Sequence, residues 1–268
     1  MKMIAITCLV FYAGLCLLVG VFQRRMLYFP PAYSEGQMDQ MATEANLARW
    51  TNATGQAIGL QRKSPRQPAQ GRILVVYGNG NCAANCAHYA DAIQQAGAFD
   101  VFIMEYPGYA DRAGSPSQNS LFQAAAEAAE RLPTNGPSYV VGESLGTGVA
   151  AYLVGTYPDR FAGAALLAPY PRLAAVAQYH MPAIPAYLLL IDRYPSQDYL
   201  ERYHGPVAMM VAVQDRVIPA KFGRRLYEAY AGPKRLLEIP SVDHNELMDR
   251  SPEEWRQIIE FWQSRAGG

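Results

Sequence analysis

Tyr139-Val140-Val141-Gly142-Glu143-Ser144-Leu145-Gly146-Thr147-Gly148 is the stretch on which the reading of this chain turns. A short apolar run of β type meets Gly142-Glu143-Ser144-Leu145-Gly146, a match to G-x-S-x-G, and an Ala-rich helical stretch follows from Val149 to Tyr157. Strand, sharp turn and helix are the setting that a nucleophile elbow requires, because the turn must lift the serine hydroxyl clear of the sheet. Glycines two residues away on either side suit a turn too tight for a Cβ. Ser144 is therefore a candidate nucleophile; the plain alternative is a glycine-rich β–α turn without chemistry.

Outward from the elbow, short apolar runs alternate with helical stretches. Ile73–Tyr77, Val101–Glu105, Ala164–Ala168, Val207–Val213 and Arg235–Ile239 suit buried strands. Ala83–Ala96, Leu121–Leu132, Gly148–Tyr157, Ala220–Ala231 and Pro252–Trp262 read as helices between and after them. This order predicts an α/β fold, a mostly parallel sheet with helices on both faces. Upstream, Tyr33–Arg49 predicts a short helix on the domain rim, and Trp50-Thr51 with Ile58-Gly59-Leu60 a hairpin around Asn52–Gln56.

The 268 residues are half hydrophobic and 17% charged, enough for a sizeable core in one large domain or two small ones. The formal net charge is zero and no long basic run occurs, which argues against nucleic acid as a partner. Four cysteines are too few for a disulfide scaffold; Cys82 and Cys86, without companion ligands, read as free thiols rather than a metal site. Ile4–Phe22 is an uncharged apolar run of 19 residues, long enough to cross a bilayer as a helix. Arg24 and Arg25 close it, Tyr28 and Phe29 stand where interfacial aromatics would, and Pro30-Pro31 stops the helix. The rival is a cleaved signal peptide, but no A-x-A site precedes the arginines and the run is long for such a segment. The expectation is a single-pass N-terminal anchor in contact with membrane lipid, its orientation left open by the weak charge bias of Lys2 against two arginines.

Sites in open parallel sheets gather beyond the carboxyl ends of the strands, and here those ends admit two readings. Gly78-Asn79-Gly80-Asn81-Cys82-Ala83 fits G-x-G-x-x-A, with Glu105 about where a ribose-binding acid would stand, so a dinucleotide-binding module is one of them. The other uses the later ends as well. Asp215 follows Val207–Val213, and His244 follows the last strand, so Ser144, Asp215 and His244 arrive in the order of an α/β-hydrolase triad. A serine hydroxyl needs an imidazole to accept its proton, and the imidazole needs a carboxylate to orient it. Of the four histidines, His88 lies in a helix and His180 and His204 in an insert; His244 alone lies in a loop beyond the terminal strand. Asp192 and Asp243 are the fallback acids. The glycine-rich loop then supplies the oxyanion hole, with backbone N–H donors from Leu145 and Asn79.

With those residues placed, the chain resembles the α/β-hydrolase superfamily, and within it the small membrane-anchored serine hydrolases that include monoacylglycerol and lysophospholipid lipases and protein depalmitoylases. The resemblance runs from Phe22-Gln23-Arg24-Arg25-Met26-Leu27-Tyr28-Phe29-Pro30 through Gly78-Asn79-Gly80-Asn81, Tyr106-Pro107-Gly108-Tyr109 and Gly114-Ser115-Pro116-Ser117. It continues through the elbow, Gln214-Asp215-Arg216-Val217-Ile218-Pro219 and Asp243-His244-Asn245. Members commonly carry His-Gly at the oxyanion strand end, where this chain has Tyr77-Gly78. The resemblance implies an anchor over residues 1–31, a hydrolase domain over 32–268 and a short cap within 171–206, whose apolar Ile184–Ile191 either covers an acyl chain or packs on the sheet. It implies cleavage of an acyl ester or thioester through an acyl-enzyme, with no metal or organic cofactor. An aminopeptidase-like peptidase and a non-catalytic binding or scaffold protein are the alternatives.

Overall fold

The computed structural model describes residues 1–265. Eight strands form one sheet: β1 Ala48–Thr51, β2 Ala57–Arg62, β3 Gly71–Val76, β4 Phe99–Met104, β5 Ser138–Glu143, β6 Gly163–Leu167, β7 Val207–Ala212 and β8 Lys234–Ile239. Their order is β1-β2-β4-β3-β5-β6-β7-β8. β1–β2 and β2–β4 pair antiparallel and every other neighbour pair is parallel. Every residue of β3 to β7 is buried, as expected for strands covered on both faces.

The helices are α1 Lys2–Leu27, α2 Glu35–Glu44, α3 Ala87–Ala96, α4 Gln118–Arg131, α5 Leu145–Thr156, α6 Leu173–His180, α7 Ala186–Leu189, α8 Ser196–Leu200, α9 Ala220–Ala229 and α10 Pro252–Gln263. Reciprocal capping boxes start α2, α4 and α10, with Ser34, Ser117 and Ser251 as caps. The strand runs expected from sequence are all present, their ends shifted by no more than two residues. The stretch after β3 differs more: a single 3-10 turn, Ala84–Cys86, precedes α3. α5 starts at Leu145, three residues before the expected Gly148, because the turn itself is completed at Ser144.

Two features of this frame place the site. β3 and β5 are neighbours, with Val76 opposite Gly142, so the glycine-rich loop and the elbow emerge side by side. The insert between β6 and β7 carries α6, α7 and α8. Its apolar stretch Ile184–Ile191 does not lie on the sheet: Leu188 is 79% exposed, while Ile184, Leu189 and Leu190 line a cavity above Ser144. α1, the one helix among the described residues long and apolar enough to cross a membrane, continues past the arginines to Leu27 and runs alongside this insert.

Candidate active site

The elbow is built by close approach. Ser144 stands at φ 49°, ψ −115°, a conformation that a non-glycine residue holds only when its surroundings over-determine it. A Cβ on Gly142 would lie 2.7 Å from the carbonyl oxygen of Gly146, and one on Gly146 would lie 2.1 Å from that of Val76. Both glycines are therefore required by backbone packing, as the sequence pattern suggested. The Ser144 N–H donates to the Leu167 carbonyl at 2.8 Å, which ties the elbow to the end of β6. α5 begins at the next residue, so its unpaired N-terminal amides and positive dipole end lie at the serine.

Asp215 and His244 reach that serine from β7 and β8. His244 Nε2 lies 3.0 Å from Ser144 Oγ, and His244 Nδ1 lies 2.7 Å from Asp215 Oδ2. The second carboxylate oxygen of Asp215 accepts from the Val217 and Ile218 amides at 2.8 and 2.7 Å, which leaves one oxygen for the imidazole. β8 stands three strands from β5, roughly 14 Å at the usual spacing, so the histidine loop must fold back across the sheet. It is held there by Leu247, fully buried in the 3-10 turn Glu246–Met248. Asp243 serves that loop as a cap, accepting from the Asn245 and Glu246 amides at 3.1 and 3.2 Å. Asp192, the other fallback acid, pairs with Arg24 on α1. Neither contacts His244. The remaining histidines also sit apart from the serine: His88 Nδ1 faces the Asn85 carbonyl at 3.2 Å, His180 Nε2 the Val217 carbonyl at 2.8 Å, and His204 is exposed.

The glycine-rich loop packs directly against the elbow. A Cβ on Gly78 would stand 2.5 Å from Glu143 Oε1 and 3.3 Å from Ser144 Cβ. Asn79 and Leu145 both line the cavity beside Ser144. The Asn79 side chain is held at both ends: its Oδ1 accepts from the Phe29 amide at 3.1 Å and the Tyr109 hydroxyl at 2.6 Å, and its Nδ2 donates to the Leu27 carbonyl. The expected ribose acid, Glu105, faces inward instead. It is 3% exposed, accepts from the Tyr77 hydroxyl and, at 3.0 Å, from the Ala83 amide, and is pushed up to about 7 by burial against the opposing effect of those donors. No carboxylate is left there for ribose hydroxyls, which removes the dinucleotide reading. The same pair explains the tyrosine at the strand end. Tyr77, fully buried and 4.5 Å from the Tyr106 ring, props the loop from beneath through Glu105. Burial raises the Cys82 and Cys86 thiols, Cys86 more strongly, so neither is a ready nucleophile.

A cavity of about 450 Å³ opens from Ser144, lined by Leu173, Val176, Ile184 and Ile218 on the domain side and by Val19, Gly20 and Met26 of α1 on the other. The α1 residues were not foreseen. Gln23, 8% exposed, is the signal that could have pointed to them: an amide next to an otherwise uncharged apolar run needs partners. It has them, donating to the Leu189 carbonyl at 3.1 Å and accepting from the Ile191 amide at 2.7 Å.

Comparison with known proteins agrees with this architecture. Residues 71–195 match the family described as alpha/beta hydrolase fold. The chain is 31% identical over 257 residues to an uncharacterized protein of Mycobacterium tuberculosis, covering 93% of this chain and 90% of the relative. It is 29% identical over 160 residues to the lysophosphatidylserine lipase ABHD12 of Danio rerio, covering 52% of this chain and 41% of the lipase. Among solved structures, a monoacylglycerol lipase of Paleococcus ferrophilus superposes with a TM-score of 0.58 at 20% identity, covering 81% of this chain and 98% of that one. By fold, by strand-end geometry and by these likenesses, the chain belongs to the α/β-hydrolase superfamily.

Proposed function

We propose that the chain is a serine hydrolase that cleaves an acyl ester or thioester through an acyl-enzyme. In this reading residues 1–31 form a membrane anchor and residues 32–268 the hydrolase domain, capped by the insert within 171–206. The observation that carries it is the continuous relay from Ser144 Oγ to His244 Nε2 at 3.0 Å and from His244 Nδ1 to Asp215 at 2.7 Å, set beside an apolar cavity. His244 takes the hydroxyl proton as Ser144 attacks the acyl carbon, and Asp215 holds the imidazole in the tautomer this requires. The amides of Asn79 and Leu145 receive the negative oxygen of the tetrahedral intermediate. His244 then passes the proton to the departing alcohol or thiol, and water repeats the sequence to release the acid.

The cavity lining favours an acyl substrate over an amino-terminal peptide. Arg216, His180 and Tyr170 are its titratable side chains, and no carboxylate is among them to hold a substrate ammonium. The relatives named as lipases support a lipid ester as substrate, as does a helix of membrane-spanning length beside the site. Labelling with a fluorophosphonate probe tests the reading. Wild type should label and Ser144→Ala should not; a folded wild type that resists the probe would sink the catalytic assignment in favour of a binding protein.

A further inference from the structure

We propose that α1 is a wall of the acyl pocket as well as a tether, and that Gly20 sets how long an acyl chain the site accepts. This rests on the proposed chemistry at Ser144 and specifies its substrate as a single-chain, long-acyl ester whose chain lies between α1 and the insert. The first support is the pattern of contact along the helix. Tyr12, Cys16, Val19, Gly20, Gln23 and Leu27 recur at spacings of three and four, so they share one face. The residues of α1 that are at least partly buried, Cys16, Val19, Gly20, Gln23 and Leu27, all fall on it.

That face is fastened to the insert at three levels. The Tyr12 hydroxyl donates to the Ala183 carbonyl at 2.7 Å. Gln23 satisfies both the Leu189 carbonyl and the Ile191 amide, backbone groups freed where α7 ends and without a partner in hydrocarbon otherwise. Arg24 grips Asp192 through Nε at 2.9 Å and Nη2 at 3.2 Å, and the Tyr28 hydroxyl reaches the same carboxylate at 3.1 Å. Around and beyond the Gln23 level the cavity that begins at Ser144 leaves a gap, lined on the helix by Val19, Gly20, Gln23, Met26 and Leu27.

Gly20 is the residue that leaves the gap open. Glycine weakens a helix interior and in membrane helices usually marks a place where another backbone comes close. Here nothing stands within 4 Å of where its Cβ would be, although the residue lines the cavity. The missing side chain is space that no neighbour fills. Gly14 likewise has nothing within 4 Å, but it is exposed and does not line the cavity, which makes it the matched control.

The test uses the full chain in detergent micelles with nitrophenyl esters from butyryl to palmitoyl. Gly20→Phe should lower the ratio of palmitoyl to butyryl kcat/KM about tenfold or more, since methylenes that no longer fit are rejected by such factors. Gly14→Phe should keep the wild-type ratio. A Gly20→Phe ratio equal to wild type, in protein that still labels at Ser144, would overturn the proposal and leave the catalytic reading standing. If Gly20→Phe fails to fold, an alkyl phosphonate bearing a photoreactive group at its chain end decides the matter on wild type. Once attached to Ser144 it should cross-link to residues 19–27; cross-links confined to the domain would count against α1 as a wall. No attachment at Ser144 in folded protein would remove the catalytic reading, and this proposal with it.

Discussion

The two sides of the pocket are made by different means. On the sheet side, Ser144, Asp215 and His244 stand at the ends of β5, β7 and β8, and their positions follow from buried strands and backbone that cannot shift. On the α1 side, a helix at the chain's beginning meets an insert some 166 to 171 positions later through a few side-chain hydrogen bonds. The first side is rigid because moving it would break core packing. The second depends on a small set of polar contacts, so it can be loosened without unfolding the domain. In the proposed reading, chemistry belongs to the rigid side and the choice of substrate to the adjustable one.

Substitutions can break or sharpen this contrast. The largest effect should come from the relay: His244→Ala should lower kcat roughly 10⁴- to 10⁶-fold, with thermal unfolding close to wild type. A comparable loss of kcat from any α1 substitution would erase the distinction between the two sides.

Next comes the support beneath the glycine-rich loop. Glu105 is held at about 7, above an ordinary value near 4.5, so the folded chain keeps its proton while the unfolded chain ionises. Its contribution is present below about pH 4.5 and is lost as pH rises to about 7, a cost on the order of 3 kcal/mol above that range. Chemical denaturation at pH 5 and pH 8 should show wild type losing stability over that interval relative to Glu105→Gln. Parallel pH profiles for the two proteins would mean that Glu105 does not titrate there.

Asp192→Ala should act on the α1 side alone. It removes the partner of Arg24, whose side chain is half exposed, and one of the two partners of the Tyr28 hydroxyl, which keeps Tyr194, for roughly 1.5 kcal/mol of docking. Trypsin should then cut after Arg24 or Arg25 about tenfold faster, while domain unfolding shifts little. Unchanged cleavage would show that the helix is held by something other than this ion pair. The smallest effect belongs to Tyr12→Phe, which removes one exposed hydrogen bond to Ala183 and should cost no more than about 1 kcal/mol.

The same contrast divides what could be read from the sequence. The order of strands, the elbow and the two later strand ends were legible because each depends on residues close in the chain: apolar runs for burial, glycines for a tight turn, an acid or histidine just past a strand. Tyr77 is visible as an oddity, but its use is not, since it depends on Glu105 lying across from it just past the end of the neighbouring strand. Glu105 fits a ribose ligand only in the competing dinucleotide reading, and its partners are a hydroxyl and an amide inside the protein. Asp192 was weighed as a catalytic acid for the same reason: nothing local marks it as the partner of an arginine 168 positions earlier. Long-range polar pairing has no periodicity, and periodicity is what a sequence displays most clearly.

The length of α1 has a further consequence. Its 26 residues extend about 39 Å, roughly 9 Å more than a typical hydrocarbon core, a surplus of about six residues. The uncharged run ends at Phe22, so for a helix that spans the bilayer the surplus falls on the Gln23–Leu27 end, and Gly20 lies within one turn of the boundary. Tyr187, Leu188 and Ile191 of the insert, 50%, 79% and 62% exposed, are apolar enough to settle at the same depth. A lipid could then present its carbonyl to Ser144 by rising a short way along α1, with most of its chain never crossing water. Turnover would follow the lipid's mole fraction in the membrane rather than its bulk concentration, and diluting the substrate with inert lipid at constant total substrate should slow the reaction in proportion.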